Sequence, residues 1–162
     1  STQQMPFISE KIPTFEEFAN ASIEEIYGEE IVDAYERKVT SFESIILINK
    51  GENKFEIEKL PPLAQSIPIL ASDTYDINED GYEDVIVGGN IYNTEVETPR
   101  LDNQFALILV SDKNKNYSAI GPDKSGLYLS GNTKSLKIID RKNPKLLVAN
   151  NNSNLEVFEL NK

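Results

Sequence analysis

The chain has 162 residues, enough for one ordinary domain with a real core, and carries a formal net charge of -11. With a pI near 4.5, that balance argues against nucleic acid and against anionic membrane surfaces, which call for Lys/Arg patches, and it favours cations. The absence of Cys and His removes thiolate nucleophiles, Cys/His zinc sites and imidazole-based catalysis, and apolar runs such as Phe105–Val110 are too short to cross a bilayer.

The opening STQQ lacks an initiator Met and is read as a processed or excised start. Downstream, Thr14 with Glu17 and Ser22 with Glu25 have capping-box spacing, and Gly28 offers a stop. Phe15, Phe18, Ile23, Ile26 and Tyr27 are expected to line one apolar face, with a second short helix from Glu29 to about Arg37. Residues 1–40 are therefore read as an extension with a helical cap, packed with residues 41–162 as one domain.

From there the pattern changes to short β runs. Ser44–Ile48 and Phe55–Lys59 predict a hairpin across NKGENK, whose Gly and Asn suit a turn. Further strands are expected at Pro68–Ser72, Val85–Gly88, Phe105–Val110, Tyr117–Ile120, Ser135–Ile139, Leu146–Ala149 and Leu155–Leu160. Two of these segments recur. SIILINKGENKF from Ser44 aligns with ALILVSDKNKNY from Ala106, 62 residues on. ILASD ending at Asp73 followed by DVIVGGN from Asp84 resembles KIID ending at Asp140 followed by KLLVANN from Lys145, with the second strands 61 residues apart. A four-stranded unit of this period has the size of a propeller blade. The expected fold is mainly β, a partial β-propeller of about two and a half antiparallel blades with an N-terminal helical segment. Since a closed propeller takes at least about four blades, the expectation is completion by remaining blades of a longer protein or by a partner protein, or else a smaller open β structure with protected edges.

Between the third and fourth predicted strands, Tyr75–Asn90 reads YDINEDGYEDVIVGGN. So many acids in one loop repel one another unless something positive sits among them. Asp76, Asn78, Asp80, Gly81 and Asp84 fit DxNxDGxxD: alternate side chains place hard oxygens inside one turn, Gly81 permits the reversal, the Tyr82 carbonyl can point inward, and Asp84 closes the shell. That donor set suits Ca²⁺. The twelfth position counted from Asp76 is Val87, where an EF-hand needs a bidentate Glu, and the flanks read as strands. The expectation is one calcium loop between two β-strands, with Asp84 in the bidentate role. In the second copy, IIDRKNPKLL, the connection is shorter and Arg141 and Lys142 would repel a cation; SDKNKNY from Ser111 reads as a plain hairpin turn. Arg100 and Asp102, in PRLDN, are expected to form a structural pair tying the long connection to the blade.

At these residues the sequence resembles the VCBS/FG-GAP repeat proteins, in particular the C-terminal region of the bacterial group associated with ASPIC/UnbV domains. The resemblance covers most of the chain and is carried by SFESIILINKGENKF, LPPLAQSIPI, the acidic loop, GGN, PRLDN and SGLYLSGN, together with the preceding FEEFANASIEEIYG. It implies a β-propeller related in blade design to the integrin α-subunit head, with calcium held between the first two strands of a blade. By that likeness Asp76, Asn78, Asp80, Tyr82 and Asp84 ligate the metal, and the protein is bacterial and secreted, periplasmic or on the cell surface. Pro99 stands where the family often has Gly, and DKNKN where it often has a Gly-rich turn, which puts those local conformations in question. The functional expectation is a non-catalytic calcium-binding segment that binds protein or glycan. The alternative is a carboxylate-based hydrolase such as a glycosidase, for which no acid pair in the sequence stands out.

Overall fold

A computed structural model describes residues 5–103 and 105–160, with Glu30 by its backbone alone. The described residues fall into two compact units, one ending at Ser41 and one beginning at Phe42.

The first unit is helical. α1 (Phe7–Lys11), α2 (Phe15–Asn20) and α3 (Ile23–Tyr27) are followed by a 3₁₀ turn at Gly28–Asp33. Both capping boxes form: the Thr14 and Ser22 hydroxyls accept the backbone N–H of Glu17 and Glu25, whose carboxylates reach back to the cap N–H groups. Gly28, with φ +72, ends α3 in a conformation that L side chains rarely adopt. Two expectations need correction. The helix expected to run to Arg37 stops as a 3₁₀ turn at Asp33, followed by extended Ala34; Val32 and Tyr35 are about four-fifths exposed, so no packed face sustains further turns. The single apolar face also divides: Phe18, Ile26 and Tyr27 are half-buried, whereas Phe15 is 94% exposed and Ile23 is exposed.

The second unit is built from three antiparallel sheets, each pairing strands consecutive in the chain. β1 (Ile45–Asn49) and β2 (Phe55–Lys59) form the first. β3 (Ala71–Tyr75), β4 (Asp84–Gly88), β5 (Ala106–Ser111) and β6 (Tyr117–Ile120) form the second, in that order. β7 (Thr133–Ile139), β8 (Lys145–Asn150) and β9 (Glu156–Glu159) form the third. One-turn helices α4 (Pro62–Gln65) and α5 (Pro122–Ser125), which the hydrophobic pattern did not reveal, fill connections and begin at Pro as helix starts allow.

Register assigns each residue to a face, because side chains alternate along a strand. In the second sheet Ile86, Ile108 and Ile120 stand in one row. Together with Ala106 they meet Leu136, Ile138, Leu146 and Val148 of the third sheet in one buried cluster. We call this side, turned toward the following sheet, the front face. On the opposite, back face, Val87, Leu107 and Leu109 are buried with Leu60, Ala64 and Ile67, and Ile46 of the first hairpin packs on them. Each largely buried aliphatic side chain stabilises the unit by about 1.5–3 kcal/mol.

The strand expected at Pro68–Ser72 lies at Ala71–Tyr75 instead. Ile69 packs on the back-face cluster from outside the strand, and the ladder is made by the more polar ASDTY, paired from Ala71↔Gly88 to Tyr75↔Asp84. The junction after β4 is tightly fixed. Gly89 has φ +156, and a Cβ there would come within 2.7 Å of Leu70 Cβ, so only glycine fits without displacement. Asn90 follows, fully buried. Its amide donates to the carbonyls of Leu129 (3.3 Å) and Gly131 (2.7 Å), and its Oδ1 accepts the Asn103 N–H (3.1 Å). One side chain thus holds together three chain segments.

Candidate metal centre

The acidic loop joins β3 to β4, and its mouth is set by the Tyr75↔Asp84 pair. Inside it the side chains serve the backbone. The Asp76 carboxylate accepts the N–H of Asp80 through Oδ1 (3.1 Å) and that of Gly81 through Oδ2 (2.9 Å). Asn78 Oδ1 accepts the same Asp80 N–H at 3.1 Å, and its amide donates to Asp80 Oδ2 at 3.0 Å. Asp80 Oδ1 accepts the Tyr82 N–H (2.9 Å). Glu79 and Gly81 take positive φ, +59 and +90, which turns the chain back on itself.

Asp84 behaves differently from the others. It is fully buried at the start of β4, and its two oxygens accept the N–H groups of Ile77 (3.0 Å) in the loop and of Ser111 (2.9 Å) at the end of β5. Burial, and then the Asp84 charge, push the Tyr117 hydroxyl above its ordinary value. Tyr82, by contrast, is 43% exposed.

The charges divide sharply along the chain. Among the described residues no basic side chain comes within ion-pair range of Asp76, Asp80 or Asp84, although two neighbouring acids are paired: Asp73 in β3 with Lys137 at 3.0 Å and Glu83 at the end of the loop with Arg141 at 2.9 Å. The Arg141 guanidinium beside Glu83 holds that carboxyl below the usual range. For Asp73, burial pushes upward, but the Ile138 N–H and the Lys137 ammonium prevail and the carboxyl titrates low. Asp84 is buried and satisfied by two N–H groups, Asp76 is partly buried and Asp80 exposed; three carboxylates on one loop without a basic partner repel one another, and a cation would relieve that repulsion.

The donor chemistry fits a hard cation: carboxylates of Asp76, Asp80 and Asp84, the Asn78 amide oxygen and backbone carbonyls are all oxygen. Each oxygen that accepts one N–H keeps a second lone pair. The side chains do not already converge, however. Among the described residues no three or more Asp, Glu, His or Cys gather into a group able to hold a metal ion. Loading the loop therefore calls for the Asn78 amide, now turned toward Asp80, to present its oxygen instead, and for Asp84 to share its oxygens with the ion.

Hydrophobic periodicity did not reveal the seam beside this loop. β3 and β7 lie side by side, joined by Asp73, whose Oδ2 accepts the Ile138 N–H at 2.6 Å while Oδ1 accepts the Lys137 ammonium. Arg141, in the β7–β8 turn, donates to Glu83 (2.9 Å) and to the Thr74 carbonyl (3.0 Å), so it bridges both strands at the loop mouth. Its carbonyl also accepts the Tyr75 hydroxyl at 3.4 Å. The signal that could have found this seam was the repeat itself, which sets the Arg141 turn opposite the acidic loop.

Arg100 and Asp102 come together in the long connection at 2.6 Å. Arg100 lies over the Tyr92 ring, 4.6 Å from its centroid, and the Tyr92 hydroxyl donates to Asp102 (3.1 Å) and to the Ser130 carbonyl (3.3 Å). Burial, then the bond to Asp102, raise the Tyr92 hydroxyl above its ordinary value. Tyr92, which the sequence did not single out, makes the pair a three-membered brace. Elsewhere, a cleft beside the loop brings Glu83 and Asp112 into one lining. Both are engaged, Glu83 by Arg141 and Asp112 by the N–H groups of Asn114 and Asn116.

Comparison with protein-family models, curated proteins and solved structures finds no match to this chain.

Proposed function

We propose that this chain is a calcium-stabilised, non-catalytic segment of a β-propeller of the VCBS/FG-GAP kind, serving as a protein- or glycan-binding scaffold of a bacterial secreted, periplasmic or cell-surface protein. The observation that carries the reading is the distribution of charge. Asp73 and Glu83 have basic partners, whereas Asp76, Asp80 and the fully buried Asp84 have none among the described residues. A divalent cation held by Asp76, Asn78, Asp80, Asp84 and the Tyr82 carbonyl supplies the missing charge. The propeller reading is supported by the sequential order of strands within each sheet and by the neighbouring edge strands β3 and β7, the arrangement of inner strands around a propeller axis.

Calorimetric titration of Ca²⁺ into chelator-treated protein, with the melting temperature followed in parallel, tests the reading. One equivalent is expected to bind. At a free concentration a hundred times Kd it stabilises the folded state by about 2.7 kcal/mol; Asp80→Ala abolishes both effects. A wild-type protein that takes up no calcium overturns the metal site. Turnover of a substrate that is lost in a folded Asp84→Ala variant overturns the non-catalytic reading.

A further inference from the structure

We propose that the acidic loop and the seam between β3 and β7 are coupled, so that loading the loop with a divalent cation locks the third sheet onto the second. Resting on the metal reading above, this gives the site a regulatory role, control of the contact between two sheets.

The two ends of the loop are anchored unequally. Asp84 is fully buried, and the N–H groups of Ile77 and Ser111 hold its two oxygens without help from the third sheet. Asp76 follows directly on β3, and β3 is poorly anchored. None of its five residues is fully buried, and within the second sheet it is an edge strand, laddered to β4 alone. Its other side is held by the third sheet.

Three successive residues make that contact, and they are the three that precede Asp76. Asp73 accepts the Ile138 N–H at 2.6 Å and the Lys137 ammonium at 3.0 Å. Thr74 offers its carbonyl to Arg141 at 3.0 Å, and the Tyr75 hydroxyl donates to the Arg141 carbonyl at 3.4 Å. Glu83, the residue before Asp84, accepts from Arg141 at 2.9 Å. With the seam closed, β3 is held on both sides, and the Tyr75↔Asp84 pair fixes the spacing between the ends of the loop. With the seam open, β3 frays as a free edge and Asp76 moves with it.

Oxygens already held in place bind a cation more tightly than oxygens that must first be ordered. Linkage makes the effect reciprocal: whatever factor the closed seam adds to cation affinity, a loaded loop adds to closure of the seam.

Ile138 supplies the readout. N–H groups along a strand of an antiparallel pair point alternately toward and away from the partner, and that of Ile138 points to Asp73 rather than to β8. Its exchange with solvent therefore reports opening of the seam, whereas amides bonded between β7 and β8 report opening of the third sheet itself.

Amide exchange followed by NMR on the full chain tests the proposal, in chelator and at a calcium concentration shown by calorimetry to saturate the loop. Calcium is expected to slow Ile138 at least about fivefold more than the amides bonded between β7 and β8. In Asp80→Ala, at an exposed position where the fold is retained, calcium is expected to leave Ile138 unchanged. Calcium uptake that slows Ile138 no more than the β7–β8 amides overturns the coupling and leaves the metal site standing. A calcium effect on Ile138 that persists in Asp80→Ala arises outside the loop and also overturns the coupling. A wild type that takes up no calcium overturns the metal site and the coupling together.

Discussion

Replacing Asp73 by alanine should open the seam between the second and third sheets, and the cost follows from its two contacts. The carboxylate accepts the Ile138 N–H at 2.6 Å, in a residue only 7% exposed. Bonds to charged groups contribute about 1.5–3 kcal/mol. The second contact reaches the ammonium of Lys137, whose side chain is 67% exposed, and adds at most about 1 kcal/mol. Asp73→Ala should therefore cost about 2–4 kcal/mol. With a urea dependence near 2 kcal/mol/M, the unfolding midpoint should fall by roughly 1–2 M at unchanged slope. Asp73→Asn keeps an acceptor for Ile138 and should cost about 1 kcal/mol. The pH dependence has a definite sign. The folded carboxyl titrates below its ordinary value, so its contribution is complete above the unfolded value of about 3.9 and fades as pH falls through the folded value. The wild-type and Asp73→Ala curves should converge in that acid window. Equal midpoints at neutral pH, or a gap that survives undiminished in acid, would refute the reasoning.

Two other substitutions probe neighbouring features. Asn90→Ala strips three hydrogen bonds from a buried junction and should lower stability by about 2–4 kcal/mol, read as a drop in melting temperature; a loss below 1 kcal/mol would mean that the junction is held by the backbone alone. Arg141→Gln should weaken calcium binding roughly fivefold by calorimetry, because Arg141 ties both strands at the loop mouth. The sign is diagnostic, since simple removal of a positive charge near a cation would tighten binding instead.

The sequence made the sheets legible wherever apolar residues alternated with turn residues. The β1–β2 hairpin, β4, β5 and β6 lie within a residue of their expected positions because their faces are aliphatic and their turns carry Gly, Asn or Asp. β3 was placed three residues early because the apolar PIL of Pro68–Leu70 attracted the assignment, whereas the ladder runs through ASDTY. The side chain of Asp73 is satisfied by the third sheet, 65 residues away from it in the chain, and no local pattern reports such a partner. The same limit hid Asn90 and Tyr92: their types and positions were visible, but their bonds cross long stretches of chain. The loop motif was legible as a set of oxygens; the turning of Asp84 onto backbone N–H groups was not, because it depends on where Ile77 and Ser111 lie in space.

The strand counts of two, four and three carry a kinetic consequence. Among the described residues of the second unit, only the central sheet packs against another sheet on each face, and β5 lies within it with four of its six residues buried in an unbroken run. Opening is cheapest at the outer sheets, where fewer apolar contacts must be broken. Amide protons of β1, β2 and β9 should therefore exchange with solvent first, and those of β5 last. Every ladder joins strands adjacent in sequence, so each sheet can form before the next, with β5 anchoring the order in which the rest is lost.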